Sequence, residues 1–153
     1  MMLIIAWGNP LRSDDAAGLR LGELLEELWR ERKRPVRRIT VHQLTPELAL
    51  EIARDDVSTV VFADARDASA EAGGPPPEIL VRPLLADPRT PVLGHHLDPA
   101  AVMACARLLY HKASPAWIAT VPGVDFGHGE GLSDVAEAAL SRLPEALFRL
   151  TSE

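Results

Sequence analysis

The sequence predicts a three-layer α/β/α fold built on a mostly parallel, twisted sheet of roughly five strands. Short apolar runs alternate along the chain with longer segments whose apolar residues recur at helical spacing. The run at 58–63 is almost continuously apolar, which is typical of a central strand covered on both faces. A length of 153 residues favours a single domain over 1–153.

Five apolar runs are the predicted strands. They cover residues 2–7, 36–43, 57–65, 78–84 and 116–121. The segment 68–77 contains the run Gly73-Gly74-Pro75-Pro76-Pro77 and is predicted to be an exposed loop. Because no helix separates the third strand from the fourth, the fourth strand is free to run antiparallel to its neighbours.

Four segments have helical patterns. They begin near Asp14, Pro46, Pro99 and Asp134, and end near Arg32, Arg54, Tyr110 and Leu150, respectively. Thr45, Asp98 and Ser133 are the predicted N-caps of the last three, and prolines at 46 and 99 suit the first helical position. Pro144 interrupts the last pattern, so a kink or two short helices are expected there.

Composition excludes several classes of function. The formal net charge of −6 disfavours nucleic-acid binding, which needs a basic face to neutralise phosphates. The single cysteine, Cys105, lies in an apolar helical segment and is interpreted as a buried small side chain. The N-terminus lacks a basic leader, and no apolar stretch approaches the roughly 20 residues that span a bilayer. We therefore expect a cytoplasmic protein that does not contact membranes.

Three groups of polar residues are candidates for a functional site. The first lies in the run that follows the first strand, Gly8-Asn9-Pro10-Leu11-Arg12-Ser13-Asp14-Asp15-Ala16-Ala17-Gly18. The second is Asp64, at the end of the third apolar run, and the third is the pair His95-His96 before a helix. Ligands of open α/β sheets bind beyond the carboxyl ends of the strands, so these groups are expected to meet there. Two carboxylates and an imidazole suit a divalent metal of borderline hardness such as nickel, zinc or manganese.

Each candidate also has a purely structural interpretation. Asp14 fits an N-cap or an acid in the first helical turn, where it would offset the helix dipole. Asp64 fits a turn former at a strand end. Spacing alone does not decide which of His95 and His96 is exposed, and His42 and His111 are interpreted as structural or surface residues.

A glycine-rich loop at 123–131 precedes the last helix. Such a loop can hold a phosphate at a helix N-terminus, which would suggest a nucleotide- or phosphate-using enzyme. However, its spacing matches no nucleotide-binding motif, and Asp125 and Glu130 would repel an anion. The loop is therefore predicted to be a mobile segment at the rim of the site.

The run from Gly8 to Gly18 resembles the Gly-Asn-x-Leu-x-x-Asp-(Asp/Glu)-x-x-Gly signature of the hydrogenase maturation proteases. Asp15 holds the place of a metal ligand in that signature. The sequence Phe62-Ala63-Asp64-Ala65 resembles the strand end that carries a second ligand, Asp64. The sequence His95-His96-Leu97-Asp98-Pro99 resembles the segment that carries the third, with His95 in the ligand place. The likeness extends over essentially the whole chain, although Ala6 and Ala16 stand where the family often has glycine.

The resemblance implies an endopeptidase that removes the C-terminal extension of a nickel–iron hydrogenase large-subunit precursor after nickel insertion. It implies that nickel arrives with the substrate and is recognised by Asp15, Asp64 and His95, and that cadmium or zinc can take its place. Asp14, Asp15 and Asp64 are the implied catalytic residues, with Asp14 as a supporting general base. A monomer is expected. The alternative is a non-catalytic, nickel-dependent docking or chaperone module for the same precursor.

Overall fold

The computed structural model describes residues 1–85 and 97–150, and its centre is a five-stranded sheet. The strands are β1 (Met2–Trp7), β2 (Val36–Val41), β3 (Thr59–Asp67), β4 (Leu80–Pro83) and β5 (Ala116–Gly123). Their order across the sheet is β2-β1-β3-β5-β4. All neighbouring strands are parallel except β4, which runs antiparallel to β5. The predicted sheet, including the freedom of its fourth strand to run antiparallel, is confirmed.

Helices cover both faces of this sheet and complete the three predicted layers. They are α1 (Ala17–Glu31), α2 (Leu48–Ile52), α3 (Pro99–Tyr110), α4 (Asp134–Leu140) and α5 (Glu145–Arg149). Helices α1, α4 and α5 pack on one face, whereas α2 and α3 pack on the other. Within the two described ranges, no helix is both long and apolar enough to cross a membrane.

The central strands are apolar throughout because alternate side chains enter two separate cores. In β1, Ile4 and Ala6 pack against α1, whereas Leu3 and Ile5 point toward α2 and α3, and all four are fully buried. In β3, Phe62 belongs to the core beneath α2 and α3. The side chain of Asp64, two residues further along the strand, therefore emerges on the same face as Phe62.

Two of the predicted helix starts are confirmed in atomic detail. The Asp98 carboxylate accepts a hydrogen bond from the Ala101 amide at 2.8 Å, and the Ser133 hydroxyl accepts one from the Ala136 amide at 3.3 Å. Pro144 breaks the last helical segment into α4 and α5, as its missing N–H and fixed φ require.

The prediction for the second helix is wrong at its start. Helix α2 covers only Leu48–Ile52, and its N-cap is Glu47 rather than Thr45. The Thr45 hydroxyl bonds the Glu47 carboxylate instead of a backbone amide, so residues 46 and 47 form a turn rather than helix.

Strand β3 extends two residues beyond its predicted end, so that Asp64 lies within the strand rather than at its terminus. The pairing of β3 with β1 stops at Ala63, whereas its pairing with β5 continues to Asp67. From Asp64 onward, the side of β3 that faces β1 is therefore free of strand pairing. This is the place where the chain that leaves β1 can approach it.

Candidate active site

The two carboxylates Asp15 and Asp64 meet at the point where the strand order of the sheet reverses. Strand β2 lies on the outer side of β1, whereas β5 and then β4 lie on the outer side of β3. In open α/β sheets this reversal opens a crevice at the carboxyl ends of the two central strands. Asp15 lies in the 3₁₀ turn Ser13–Ala16 that follows β1, and Asp64 lies on β3.

Gly18 allows these two segments to approach each other. It lies in the first turn of α1, directly against the backbone of β3. A Cβ at this position would lie 2.6 Å from the Asp64 Cα and 2.9 Å from the Ala63 carbonyl oxygen. The last glycine of the Gly8–Gly18 run therefore fixes the distance between the start of α1 and the strand that carries Asp64.

The Asp15 carboxylate is held by the turn that precedes it. Its Oδ2 accepts a hydrogen bond from the Asn9 amide at 2.7 Å. In turn, the Asn9 side chain accepts a hydrogen bond from the Leu11 amide at 2.9 Å, which closes a local turn. These contacts explain why glycine, asparagine and proline precede the acid: the turn brings a backbone N–H back to the carboxylate.

The Asp64 carboxylate is mostly buried and sits close to a like charge. Its Oδ1 accepts a hydrogen bond from the Ala65 amide at 2.7 Å. Burial raises the pKa of Asp64 to about 6; the hydrogen bond from Ala65 opposes this rise, and the negative charge of Asp15 adds to it. A carboxylate whose pKa lies near neutrality is suited either to proton transfer or to a cation that neutralises it.

The pair has the donor chemistry of a cation site. Each carboxylate has one oxygen held by a backbone amide, and in the described part of the chain the second oxygen has no hydrogen-bond partner. Over residues 1–85 and 97–150, no lysine or arginine forms an ion pair with Asp15 or Asp64. Hard oxygen ligands that lack a counter-ion suit a divalent metal.

A third ligand for such a metal is not found in the described ranges. They contain no group of three or more histidine, cysteine or acidic side chains arranged to hold an ion. His95 and His96, the predicted source of the third ligand, lie outside the described residues. The ligand assignments of Asp15, Asp64 and His95 therefore stay predictions.

Asp14, the neighbour of Asp15 in the sequence, is fully buried. Its Oδ2 accepts hydrogen bonds from the Val124 amide at 2.8 Å, the Asp125 amide at 3.0 Å and the Ser133 hydroxyl at 2.7 Å. Its Oδ1 accepts one from the Ser133 amide at 2.8 Å.

The electrostatics of Asp14 follow from these contacts. Burial alone would raise the pKa of Asp14, but the hydrogen bonds from Ser133 and from the two loop amides outweigh it and hold the pKa below its usual range. A buried carboxylate with both oxygens occupied is poorly placed to take a proton from a substrate. Its assignment as a catalytic base stays a prediction that this geometry does not favour.

Of the two local roles predicted for Asp14, the N-cap is wrong, whereas the position of Asp14 in the first turn is confirmed. The N-cap of the 3₁₀ turn is Arg12, with no capping bond from a side chain, and Asp14 binds the glycine-rich loop instead. The amides of that loop do converge on an anion, as the phosphate-binding interpretation required, but the anion is the carboxylate of Asp14. The loop is therefore bonded to the rest of the protein, contrary to the predicted mobile rim.

Two serines take part in this arrangement, and the sequence indicated a role for only one of them. Ser133 was recognisable as a helix cap, but its hydroxyl also donates to Asp14. Ser13 has a φ of 48°, which is rare for a residue with a side chain, and its hydroxyl donates to the Gly127 carbonyl oxygen at 3.1 Å. No sequence pattern pointed to either of these longer-range contacts.

Solved structures with the same fold include several hydrogenase maturation proteases. The NiFe hydrogenase maturation protease HycI from Thermococcus kodakarensis KOD1 is 22% identical, with a TM-score of 0.66 over 99% of this chain and 92% of that chain. The hydrogenase maturating endopeptidase HybD from E. coli is 22% identical, with a TM-score of 0.65 over 97% and 88%. The NiFe hydrogenase maturation protease HybD from Thermococcus kodakarensis is 20% identical, with a TM-score of 0.63 over 99% and 97%.

No protein-family model and no curated protein matches the chain. At 20–22% identity, the structural likeness establishes a shared fold over nearly the full length of each partner. It leaves the activity to be argued from the residues of the site.

Proposed function

We propose that this protein is an endopeptidase of the hydrogenase maturation type. It removes the C-terminal extension of a nickel–iron hydrogenase large-subunit precursor after nickel has been inserted. The observation that carries the proposal is the pairing of Asp15 and Asp64 at the switch point of the sheet, on a fold shared with hydrogenase maturation proteases.

In this proposal nickel belongs to the substrate, and the protein contributes ligands to it. Asp15 and Asp64 each offer an oxygen without a partner in the described part of the chain, and the imidazole of His95 supplies a nitrogen ligand. Two residues lie between His95 and Asp98, so the Cα atoms of these two residues are at most about 11 Å apart. Asp98 caps α3, which packs on the face of the sheet where the Asp64 side chain emerges. This donor set suits nickel, and cadmium and zinc are suitable replacements in experiments.

The residues contribute to cleavage mainly through positioning. Backbone amides fix one oxygen of each carboxylate before the substrate arrives, so little ordering is needed when the metal is contacted. The precursor therefore binds more tightly once it contains nickel, which explains why cleavage would wait for nickel insertion. The nickel ion would polarise the scissile carbonyl or a water molecule. Asp64, whose pKa of about 6 applies to the metal-free site, would be the carboxylate suited to accept a proton when it is not neutralised by the metal.

The experiment that tests this proposal is a cleavage assay with purified hydrogenase large-subunit precursor, loaded with nickel or free of it. Release of the extension is followed by mass spectrometry. The wild-type protein is expected to cleave only the nickel-loaded precursor. The variants Asp15→Ala, Asp64→Ala and His95→Ala are expected to lose at least about 100-fold in rate, the order of effect seen when a group that stabilises the transition state is removed.

Asp67→Ala and His128→Ala are the matched controls, because both side chains are outside the proposed ligand set. Asp67 is exposed at the end of the same strand as Asp64, and His128 is exposed on the glycine-rich loop. Both controls are expected to cleave at the wild-type rate. Full cleavage by all three ligand variants would contradict the proposal.

The same assay separates cleavage from docking. A non-catalytic docking module would bind the nickel-loaded precursor and lose that binding in the Asp15→Ala variant, yet release no extension. Binding without a cleavage product would therefore favour the docking module over the endopeptidase.

A further inference from the structure

The glycine-rich loop is bonded along its length to the turn that carries Asp15. The Ser13 amide donates to the Gly129 carbonyl oxygen at 2.9 Å, and the Gly129 amide donates to the Leu11 carbonyl oxygen at 2.9 Å. The Asp14 amide donates to the Asp125 carbonyl oxygen at 2.8 Å. These bonds form a short two-stranded contact between segments that lie more than 100 positions apart in the sequence.

The Asp14 carboxylate is the centre of this contact. It accepts four hydrogen bonds from Val124, Asp125 and Ser133, which lie at the start and the end of the loop. It also packs directly over Gly123, where a Cβ would lie 2.7 Å from the Asp14 Cβ. The loop therefore closes around this side chain, and the side chain fits because residue 123 is glycine.

We infer that Asp14 is a positioning residue: its carboxylate fixes the glycine-rich loop to the 3₁₀ turn and thereby sets the orientation of the neighbouring Asp15 carboxylate. The positioning role of Asp14 does not depend on the proposed function. Only the statement that Asp15 then contacts the metal of the substrate rests on it. The two adjacent acids thus have separate tasks. Asp14 faces the interior and organises the turn, and Asp15 faces the crevice.

A negative charge is required at position 14 because all four partners donate. Asparagine has nearly the same shape, but its NH₂ group would face either the Ser133 amide or the three donors around Oδ2. One donor would then be buried against another donor, which costs more than the loss of a hydrogen bond at the surface. Asp14→Asn therefore weakens the attachment of the loop to the turn without removing bulk, while the backbone hydrogen bonds between them remain.

The first test measures cadmium binding to the purified full-length protein by isothermal titration, under conditions where circular dichroism shows each variant to be folded. Asp14→Asn is expected to weaken Cd²⁺ binding by about tenfold or more, and Ser133→Ala by several-fold, because hydrogen bonds to a charged group are lost. Ser133→Thr keeps the hydroxyl and is expected to bind within about twofold of the wild type.

Ser141→Ala is the control for Ser133→Ala. Ser141 lies at the other end of α4 and is exposed, and its hydroxyl donates to the Ala138 carbonyl oxygen. Its loss is expected to leave Cd²⁺ binding unchanged. Wild-type affinity in folded Asp14→Asn would overturn the inference.

The second test does not depend on a metal. The Asn9 amide donates to Asp15 Oδ2, so its hydrogen exchange, followed by NMR, reports the orientation of the Asp15 carboxylate. Asp14→Asn and Ser133→Ala are expected to speed exchange of this amide by about tenfold, whereas Ser141→Ala has no effect. If the wild-type protein binds no Cd²⁺ but this exchange pattern holds, the proposed metal recognition fails and the positioning role of Asp14 stands. Unchanged exchange in the Asp14 and Ser133 variants would overturn the positioning role.

Discussion

At the level of single residues, Asp14 and Asp64 show how two carboxylates of one region of the protein acquire different chemistry. Asp14 is surrounded by donors, and its pKa is held below its usual range even though burial alone would raise it. Asp64 receives one backbone hydrogen bond, and burial together with the charge of Asp15 raises its pKa to about 6. The number of donors around each buried carboxylate decides whether the charge is stabilised by the protein or left for a ligand.

The raised pKa of Asp64 predicts that this side chain destabilises the metal-free protein at neutral pH. The folded state binds the Asp64 proton more tightly than the unfolded state does. The resulting loss of stability is therefore absent below pH 3.8, grows as the pH rises from 3.8 to about 6, and is complete above that. The rise in pKa corresponds to a decrease of at most about 3 kcal/mol in the free energy of unfolding.

Asp64→Asn is therefore expected to stabilise the protein by about 1–3 kcal/mol at pH 7 in the presence of a chelator, and by much less near pH 4. Urea unfolding at the two pH values provides the measurement. Asp67→Asn, on the same strand, is the comparison of opposite sign: hydrogen bonds from Ser69 lower the pKa of Asp67, so this substitution is expected to destabilise the protein at pH 7. Equal effects of Asp64→Asn at both pH values would show that the charge of Asp64 carries no cost.

Sequence reasoning identified Asp15 and Asp64 as partners because both follow the general rule for where ligands bind on an open sheet. It could not identify the contact between Asp14 and Ser133. Both residues have a simple local interpretation, as a first-turn acid and as a helix cap, and local patterns contain no information about a partner 119 positions away. The loop was predicted to be mobile for the same reason.

At the scale of elements, apolar periodicity predicted the strands and the long helices well, because burial on defined faces determines them. The boundaries of β1 and α3 agree with the sequence pattern, and Pro144 ends α4 as expected. The start of α2 was predicted incorrectly because Thr45 has a competing partner in Glu47. The end of β3 was also misplaced, since its last residues pair with β5 although they are polar.

The close contact between α1 and β3 predicts the sign of the change in stability caused by Gly18→Ala. In an open helix, Gly→Ala stabilises by about 1 kcal/mol through helix propensity. At Gly18 the added methyl would press on the Asp64 backbone, so Gly18→Ala is expected to destabilise by about 1–3 kcal/mol. Chemical denaturation measures the change.

Gly74→Ala is a suitable control for this substitution. A Cβ at residue 74 would meet only the Glu71 carbonyl oxygen, at an ordinary contact distance of 3.5 Å. Its free energy of unfolding is expected to change little. If Gly18→Ala proved as stable as the wild type or more stable, α1 would not pack against β3 as closely as described.

At the scale of the whole molecule, the order of the strands explains why residues far apart in the sequence converge. Strand β1 turns outward to β2 while β3 leads the other way, so the crevice between them receives the turn after β1 and the open side of β3. Sequence alternation predicted a parallel sheet but not this order, because the order depends on which strands neighbour one another across the sheet. A cytoplasmic location and a monomeric state stay predictions.

A crystal soaked with cadmium or nickel tests whether Asp15, Asp64 and His95 form one metal-recognition site. Anomalous scattering would locate the ion. We expect a single strong site in the crevice, within coordination distance of a carboxylate oxygen of Asp15, a carboxylate oxygen of Asp64 and the imidazole of His95. An ion bound elsewhere, or a crevice that stays empty at saturating metal, would contradict it.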